Sequence, residues 1–109
     1  MNLVEELKEK LKQYSREQII FTTHARIRAI QRGIDLEEIK DNLLNPNRLS
    51  TAIKQEAEKA DEEKYDCYFI YSGNLCHRYV LILNKKIIIC TVIKINRRWQ
   101  RRVEKHARV

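Results

Sequence analysis

The chain has 109 residues, enough for one domain with a modest core and too few for two, so residues 1–109 are read as a single domain. Hydrophobic residues make up 43% and charged residues 34%, which excludes a disordered segment and points to a packed, highly charged globule. The net charge of +7 is unevenly placed: residues 85–109 carry nine Lys or Arg against one acid, Glu104, whereas residues 1–84 carry 13 basic and 14 acidic residues. A basic excess confined to the last quarter suits a phosphate backbone or an acidic membrane; in a soluble protein it also serves as a solvated face.

In chain order, Leu3, Leu7, Leu11 and Tyr14 recur at helical spacing and predict a helix over about 3–14, with Asn2 as its N-cap. Ile19–Thr23 is β-branched or aromatic throughout and predicts a short strand or extended segment. Thr23 is placed to cap a helix from His24 to Arg32, with Ile27 and Ile30 toward the core and Gly33 as its stop. Asp35 with Glu38 matches a capping box, and Ile34 with Ile39 a hydrophobic staple. A third helix is therefore expected over about 36–44, ended by Asn45-Pro46.

Residues 48–53 read as an edge strand, and the polar stretch 55–63 as a loop or frayed helix. Alternation predicts a strand over 64–71, with Tyr65, Cys67, Phe69 and Tyr71 on one face. Ser72-Gly73-Asn74 reads as a hairpin turn. Strands over 75–83 and 87–95 follow, joined by Asn84-Lys85-Lys86. They are apolar on both faces over most of their length, so they belong mid-sheet under helices. A last helix from about 97 would turn Trp99, Val103 and Ala107 inward. The expected fold is thus α+β: N-terminal helices on an antiparallel sheet of three to four strands, with a basic C-terminal helix.

The stretch 23–34, THARIRAIQRGI, carries the strongest chemical signal. On a helix, His24, Arg28 and Arg32 are four apart and form one stripe. Two neighbouring guanidiniums repel, and a bound phosphate would relieve that repulsion. The competing explanation pairs Arg28 and Arg32 with acids such as Glu38 or Asp66 and leaves His24 a role only at the helix start.

The pattern His24-Ala25, Arg28, Arg32-Gly33-Ile34, followed by the acidic helix start Asp35–Glu38, later hairpin strands and the apolar ICTVIK run of the last strand, resembles a family of small domains related to the RelE and BrnT ribonuclease toxins. The resemblance covers roughly residues 19–94. It implies a RelE-like fold and metal-independent RNA cleavage, in which the RNA 2′-hydroxyl attacks its own phosphate. It also implies a protein antitoxin as partner, and it favours Thr91 as a site residue. Such folds also include inactive binders.

The chemistry needs a proton acceptor, a proton donor and cations at the phosphate. The candidate catalytic set is His24, Arg28, Arg32 and Thr91. Thr91 and Lys94 stand on opposite pleats of the last strand, so at most one of them faces such a site. His77, Arg78 and Tyr79 on the middle strand are further candidates. For nucleic-acid contact the candidates are Lys94, Arg97, Arg98, Arg101, Arg102 and Lys105, with RNA preferred over DNA and Trp99 available to stack on a base or to pack inward.

Cys67, Cys76 and Cys90 are odd in number and form no Cys-x-x-Cys pair. Reduced, buried thiols in a cytoplasmic protein are therefore expected. Adjacent Cys76 and His77 point to opposite strand faces, a poor chelate, and the spacing fits no zinc finger, so no metal is expected. No glycine-rich phosphate loop appears, and no cofactor is expected. The N-terminal stretch is a charged amphipathic helix rather than a signal peptide, and the apolar run Ile87–Ile95 is too short to span a bilayer, so no membrane role is expected. Two function classes remain: a RelE-like endoribonuclease, and a non-catalytic nucleic-acid-binding module using the basic C-terminal residues. A pure interaction domain whose basic face meets an acidic protein is a third.

Overall fold

The computed structural model describes residues 2–96. Helix α1, Leu3–Lys12, is capped by the Asn2 side chain, which accepts from the Glu5 N–H at 2.9 Å. It buries Leu7 and Leu11 completely, worth roughly 1.5–3 kcal/mol each. It ends two residues before the expected boundary. A 3₁₀ turn at Arg16–Gln18 leads into strand β1, Ile19–Phe21.

Helix α2, Thr23–Gln31, starts one residue earlier than expected, because Thr22 rather than Thr23 caps it, accepting from the Ala25 N–H at 3.1 Å. The end follows the expected logic. Gly33 takes the left-handed conformation (φ 66°), its N–H bonds the Ile30 carbonyl, and the Ile34 N–H reaches back to the Ala29 carbonyl at 2.9 Å. Ile34 is then buried and α3, Leu36–Leu44, begins on the Asp35 cap, which accepts from the Glu37 N–H.

Strands β2, Leu49–Gln55, β3, Glu63–Ile70, β4, Leu75–Leu83, and β5, Ile87–Asn96, follow, with residues 56–62 as a loop. The sheet order is β1-β5-β4-β3-β2. The expected antiparallel sheet of three to four strands is corrected here to a five-stranded mixed sheet. β2 to β5 are antiparallel neighbours, but β1 pairs parallel with β5 through Ile19–Ile87, Ile20–Ile88 and Phe21–Ile89. The expected C-terminal helix lies outside the described residues.

Directly opposed residues on paired strands share a face. One face carries Ile19, Phe21, Tyr65, Cys67, Phe69, Tyr79, Leu81, Leu83, Ile87, Ile89 and Val92, and all of these join Leu7, Leu11, Ala25, Ala29, Ile34, Ile39 and Leu43 of the helices in one core. The other face carries the salt bridge of Arg78 to buried Asp66, bidentate at 2.7 and 2.6 Å. β4 and β5 are interior strands, as expected, with the helices packed against one of their faces.

The expectation for the buried side of α2 is overturned. Ile27 and Ile30 are 48% and 70% exposed, while Ala25 and Ala29 are fully buried. Alanines four apart let the helix backbone approach the sheet closely, and the two isoleucines are left on the outer side. A core cannot use both stripes of one short helix, and here close approach wins over side-chain size.

Candidate functional site

α2 follows β1 directly and packs along β5: the Thr22 N–H bonds the Ile89 carbonyl at 3.0 Å, and the Thr22 hydroxyl meets the Cys90 carbonyl at 3.4 Å. Turning Ala25 and Ala29 inward sends His24 and Arg28 outward. Both are exposed, and Arg32 at the helix end is half-buried. The His24 side chain hydrogen-bonds to no described residue. Arg28 reaches only Gln31, at 3.4 Å, and Arg32 has no side-chain partner among the described residues.

The acids proposed to neutralise this stripe are engaged elsewhere. Asp66 holds Arg78, and Glu38 accepts from the Tyr71 hydroxyl at 3.1 Å. Arg28 and Arg32 therefore have no carboxylate partner among the described residues, and the competing explanation of an acid-paired stripe does not hold. Arg26 and the exposed Ile27 and Ile30 share the outward surface of the helix.

The two strand candidates separate. A bulge in the β4–β5 pairing, with Leu81 opposite Ile89 but Val80 opposite Thr91, inserts Cys90 as the extra residue. Thr91 thereby shares the face of Val80 and Asp66, away from the helices, and no hydrogen bond joins it to the α2 stripe. Lys94 pairs with His77 on the helix-bearing face and is exposed. Arg97, Arg98, Arg101, Arg102 and Lys105 lie outside the described residues.

A second cluster gathers where α3 crosses the early residues of β4. Asn42, Tyr79 and His77 are all buried, at 6%, 0% and 3% exposure. The Asn42 amide nitrogen donates to the hydroxyls of Tyr71 (2.7 Å) and Tyr79 (2.9 Å), and the Tyr79 hydroxyl lies 2.8 Å from His77 Nδ1. The Tyr71 ring is 4.4 Å from the imidazole, and the Arg48 guanidinium lies 4.2 Å over the Tyr71 ring. Burial holds the His77 pKa below its ordinary value; Glu38 opposes this, and Lys94 and Arg48 add to it. His77 and Tyr79 were visible in the sequence as candidates, but Asn42, Glu38, Tyr71 and Arg48 were not, because they converge from elements separated by dozens of residues.

At the other end of β4 an open groove of about 550 Å³ is lined by Lys10, Tyr14, Gln18, Glu63, Asn84 and Lys85. Several of its polar groups pair across it: Lys10 donates to Glu63 at 2.6 Å, Tyr14 to the Asn84 carbonyl at 2.7 Å and Gln18 to the Lys85 carbonyl at 3.1 Å. Those contacts fasten α1 and the following turn to the sheet, and none of the α2 stripe lines the groove.

The three cysteines are free thiols; Cys67 and Cys76 are buried and Cys90 is half-buried. Burial pushes the Cys67 thiol up to about 12, so it is no nucleophile at neutral pH. Among the described residues no group of three or more His, Cys, Asp or Glu is placed to hold a metal ion, and no helix is long and apolar enough to cross a membrane. Comparison with protein-family models, with curated proteins and with solved structures finds no match.

Proposed function

We propose that this domain binds RNA through the outer stripe of α2 and cleaves it by 2′-hydroxyl attack, in the manner of the RelE and BrnT toxins whose motif it resembles. The observation that carries the reading is the exposure of His24 and Arg28, with Arg32 half-buried beside them, and the lack of any carboxylate partner for either arginine among the described residues. An unpaired guanidinium pair is matched by a phosphodiester, which accepts bidentate hydrogen bonds and cancels the repulsion.

In the proposed step, His24 takes the 2′-hydroxyl proton as the 2′ oxygen bonds to phosphorus. The phosphorus–5′-oxygen bond breaks, and a proton from a general acid or water completes the 5′-hydroxyl. Arg28 and Arg32 hold the non-bridging oxygens as charge grows on them. Lys94, exposed on β5, adds a further positive charge, the basic residues among 97–108 add more to the chain, and a protein antitoxin would act by covering the α2 surface. The setting proposed for this chemistry is the cytoplasm.

One observation favours the non-catalytic binding module: no described residue fixes the His24 ring by hydrogen bond, as an orienting partner usually does for a general base. Incubating RNA or single-stranded DNA with wild-type protein and with His24→Ala, with and without chelator, separates the two readings. Cleavage of RNA that survives chelation and is lost in the variant supports the enzyme. Binding of intact RNA by both proteins returns the domain to the binding-module class.

A further inference from the structure

The sheet face opposite the helices is built in rows. The pairing register sets Ile70, Cys76 and Ile95 side by side across β3, β4 and β5, with Tyr68, Arg78 and Ile93 in the next row. Val80 and Thr91 follow, and then Ile82 and Ile88. None of these side chains belongs to the core shared with the helices. Arg78 spends its charge on Asp66 within the same face. An antiparallel sheet that leaves one face to water places polar residues there. On this face β5 instead presents Ile88, Thr91, Ile93 and Ile95.

Two members of the face are closed to solvent although they lie outside that core: Cys76 is 2% exposed and Val80 9%. The isoleucines around them keep intermediate exposure. An apolar sheet face of this kind is stable when a second layer covers it.

The chain carries a segment suited to that layer. Residues 97–109, outside the described residues, follow directly on Asn96, which pairs with Leu75 one step beyond the Cys76–Ile95 pair. The segment therefore starts beside the first row. Trp99, Val103 and Ala107 recur every four residues, one apolar side of a helix. A helix of that length runs about 20 Å, and three neighbouring strands span about 10 Å, so it is long enough to cross them. Its tether gives it an effective concentration on the order of millimolar, which any separate protein, a second copy of this chain included, must outcompete.

We infer that the sheet face opposite the helices is the docking surface of the chain's own C-terminal segment, with Trp99 seated on the row of Ile70, Cys76 and Ile95. Three residues of extended chain reach at most about 10 Å, enough to bring Trp99 from Asn96 onto that row. Seated in this way, the segment turns Arg98, Arg101, Arg102 and Lys105 to solvent, on the other side of the sheet from α2. Trp99 is then a packing residue rather than a platform for a base. The α2 stripe takes no part in this contact, which stands or falls apart from the RNA reading.

Two measurements on the full chain test it, and neither needs RNA. Trp99 is the chain's single tryptophan, so its emission reports on this segment alone. In the native protein it should be blue-shifted from that of the urea-unfolded chain and should resist acrylamide quenching, at all protein concentrations. The second measurement is the alkylation rate of Cys76, read by mass spectrometry relative to Cys67, which is buried on the helix-bearing face. Trp99→Ala should raise that ratio by about tenfold, because the cover loses its aromatic anchor and opens more often. Val103→Ser should raise it less.

Native Trp99 emission and quenching equal to those of the unfolded chain overturn the inference. So does a Cys76 ratio unchanged by Trp99→Ala, which would place the tryptophan elsewhere. Protection of Trp99 that disappears on dilution, as the mass in solution falls from dimer to monomer, also overturns it and assigns the face to a second copy.

Discussion

Two histidines of this domain sit in opposite circumstances. His24 starts a surface helix, makes no hydrogen bond to a described residue and stands beside two arginines without acids. His77 is buried on an interior strand and joined to a hydrogen-bonded cluster that runs from Tyr79 through Asn42 and Tyr71 to Glu38. The first is exposed and contributes little to folding. The second is committed to the fold. Exposure and structural cost therefore separate between them, and substitutions should show the separation.

The largest effect should be on turnover. His24→Ala should slow RNA cleavage by about 10²–10⁴-fold, the usual loss for a proton-transfer group, while changing the free energy of unfolding by less than about 0.5 kcal/mol. Paired cleavage assays and urea denaturation read both quantities. A His24→Ala protein that cleaves at the wild-type rate would remove His24 from the chemistry.

Tyr79→Phe should do the reverse. It strips the partner from His77 Nδ1 and from one Asn42 proton inside the core, and should destabilise the domain by about 1–3 kcal/mol in the same denaturation experiment. A stability unchanged from wild type would mean that the cluster is not satisfied internally.

Packing distinguishes the two stripes of α2 in a similar way. Ala29→Leu places a branched side chain where the helix backbone meets the sheet and should cost about 1–3 kcal/mol. Ile30→Gln, on the outer side, should stay within about 0.5 kcal/mol by thermal or urea unfolding. Equal losses for the two would contradict the orientation of the helix.

That orientation is where the sequence misled. Ile27 and Ile30 are the bulkier apolar residues of α2, so hydropathy places them inward, and nothing local reveals that Ala25 and Ala29 touch the sheet. The three helices, the hairpin turn and the two long strands were legible because caps, Gly33 and alternation act within a few residues. β1 was legible as a short strand or extended segment, but its place in the sheet was not, since its parallel partner on β5 lies far along the chain. The four-residue spacing of His24, Arg28 and Arg32 was legible, and their freedom from acids was not, because that depends on where Asp66 and Glu38 are spent. The bulge that turns Thr91 to the far face leaves no signature in the residue pattern.

The smallest contrast is in pH. His77 has a folded-state pKa below its ordinary value of 6.5, so the unfolded chain takes up the proton first. The stability this group contributes is complete above about pH 6.5 and is lost as pH falls toward and through the lowered folded value. Glu63, held below the usual carboxylate range by Lys10, adds its loss at more acidic pH. Unfolding followed across this window should show the His77 step in wild type and His24→Ala, and not in His77→Phe. A step that vanishes with His24 instead would reverse the assignment.

The measurement that tests the α2 surface most directly is the salt dependence of RNA affinity for wild type and for Arg28→Ala/Arg32→Ala. Each phosphate contact on a single strand releases about 0.7 of a counterion, so losing two contacts should flatten the slope of log affinity against log salt by about 1.4. Affinity at low salt should fall with it. An unchanged slope and affinity in a folded double variant would contradict the account, because RNA would then be held by other residues of the chain.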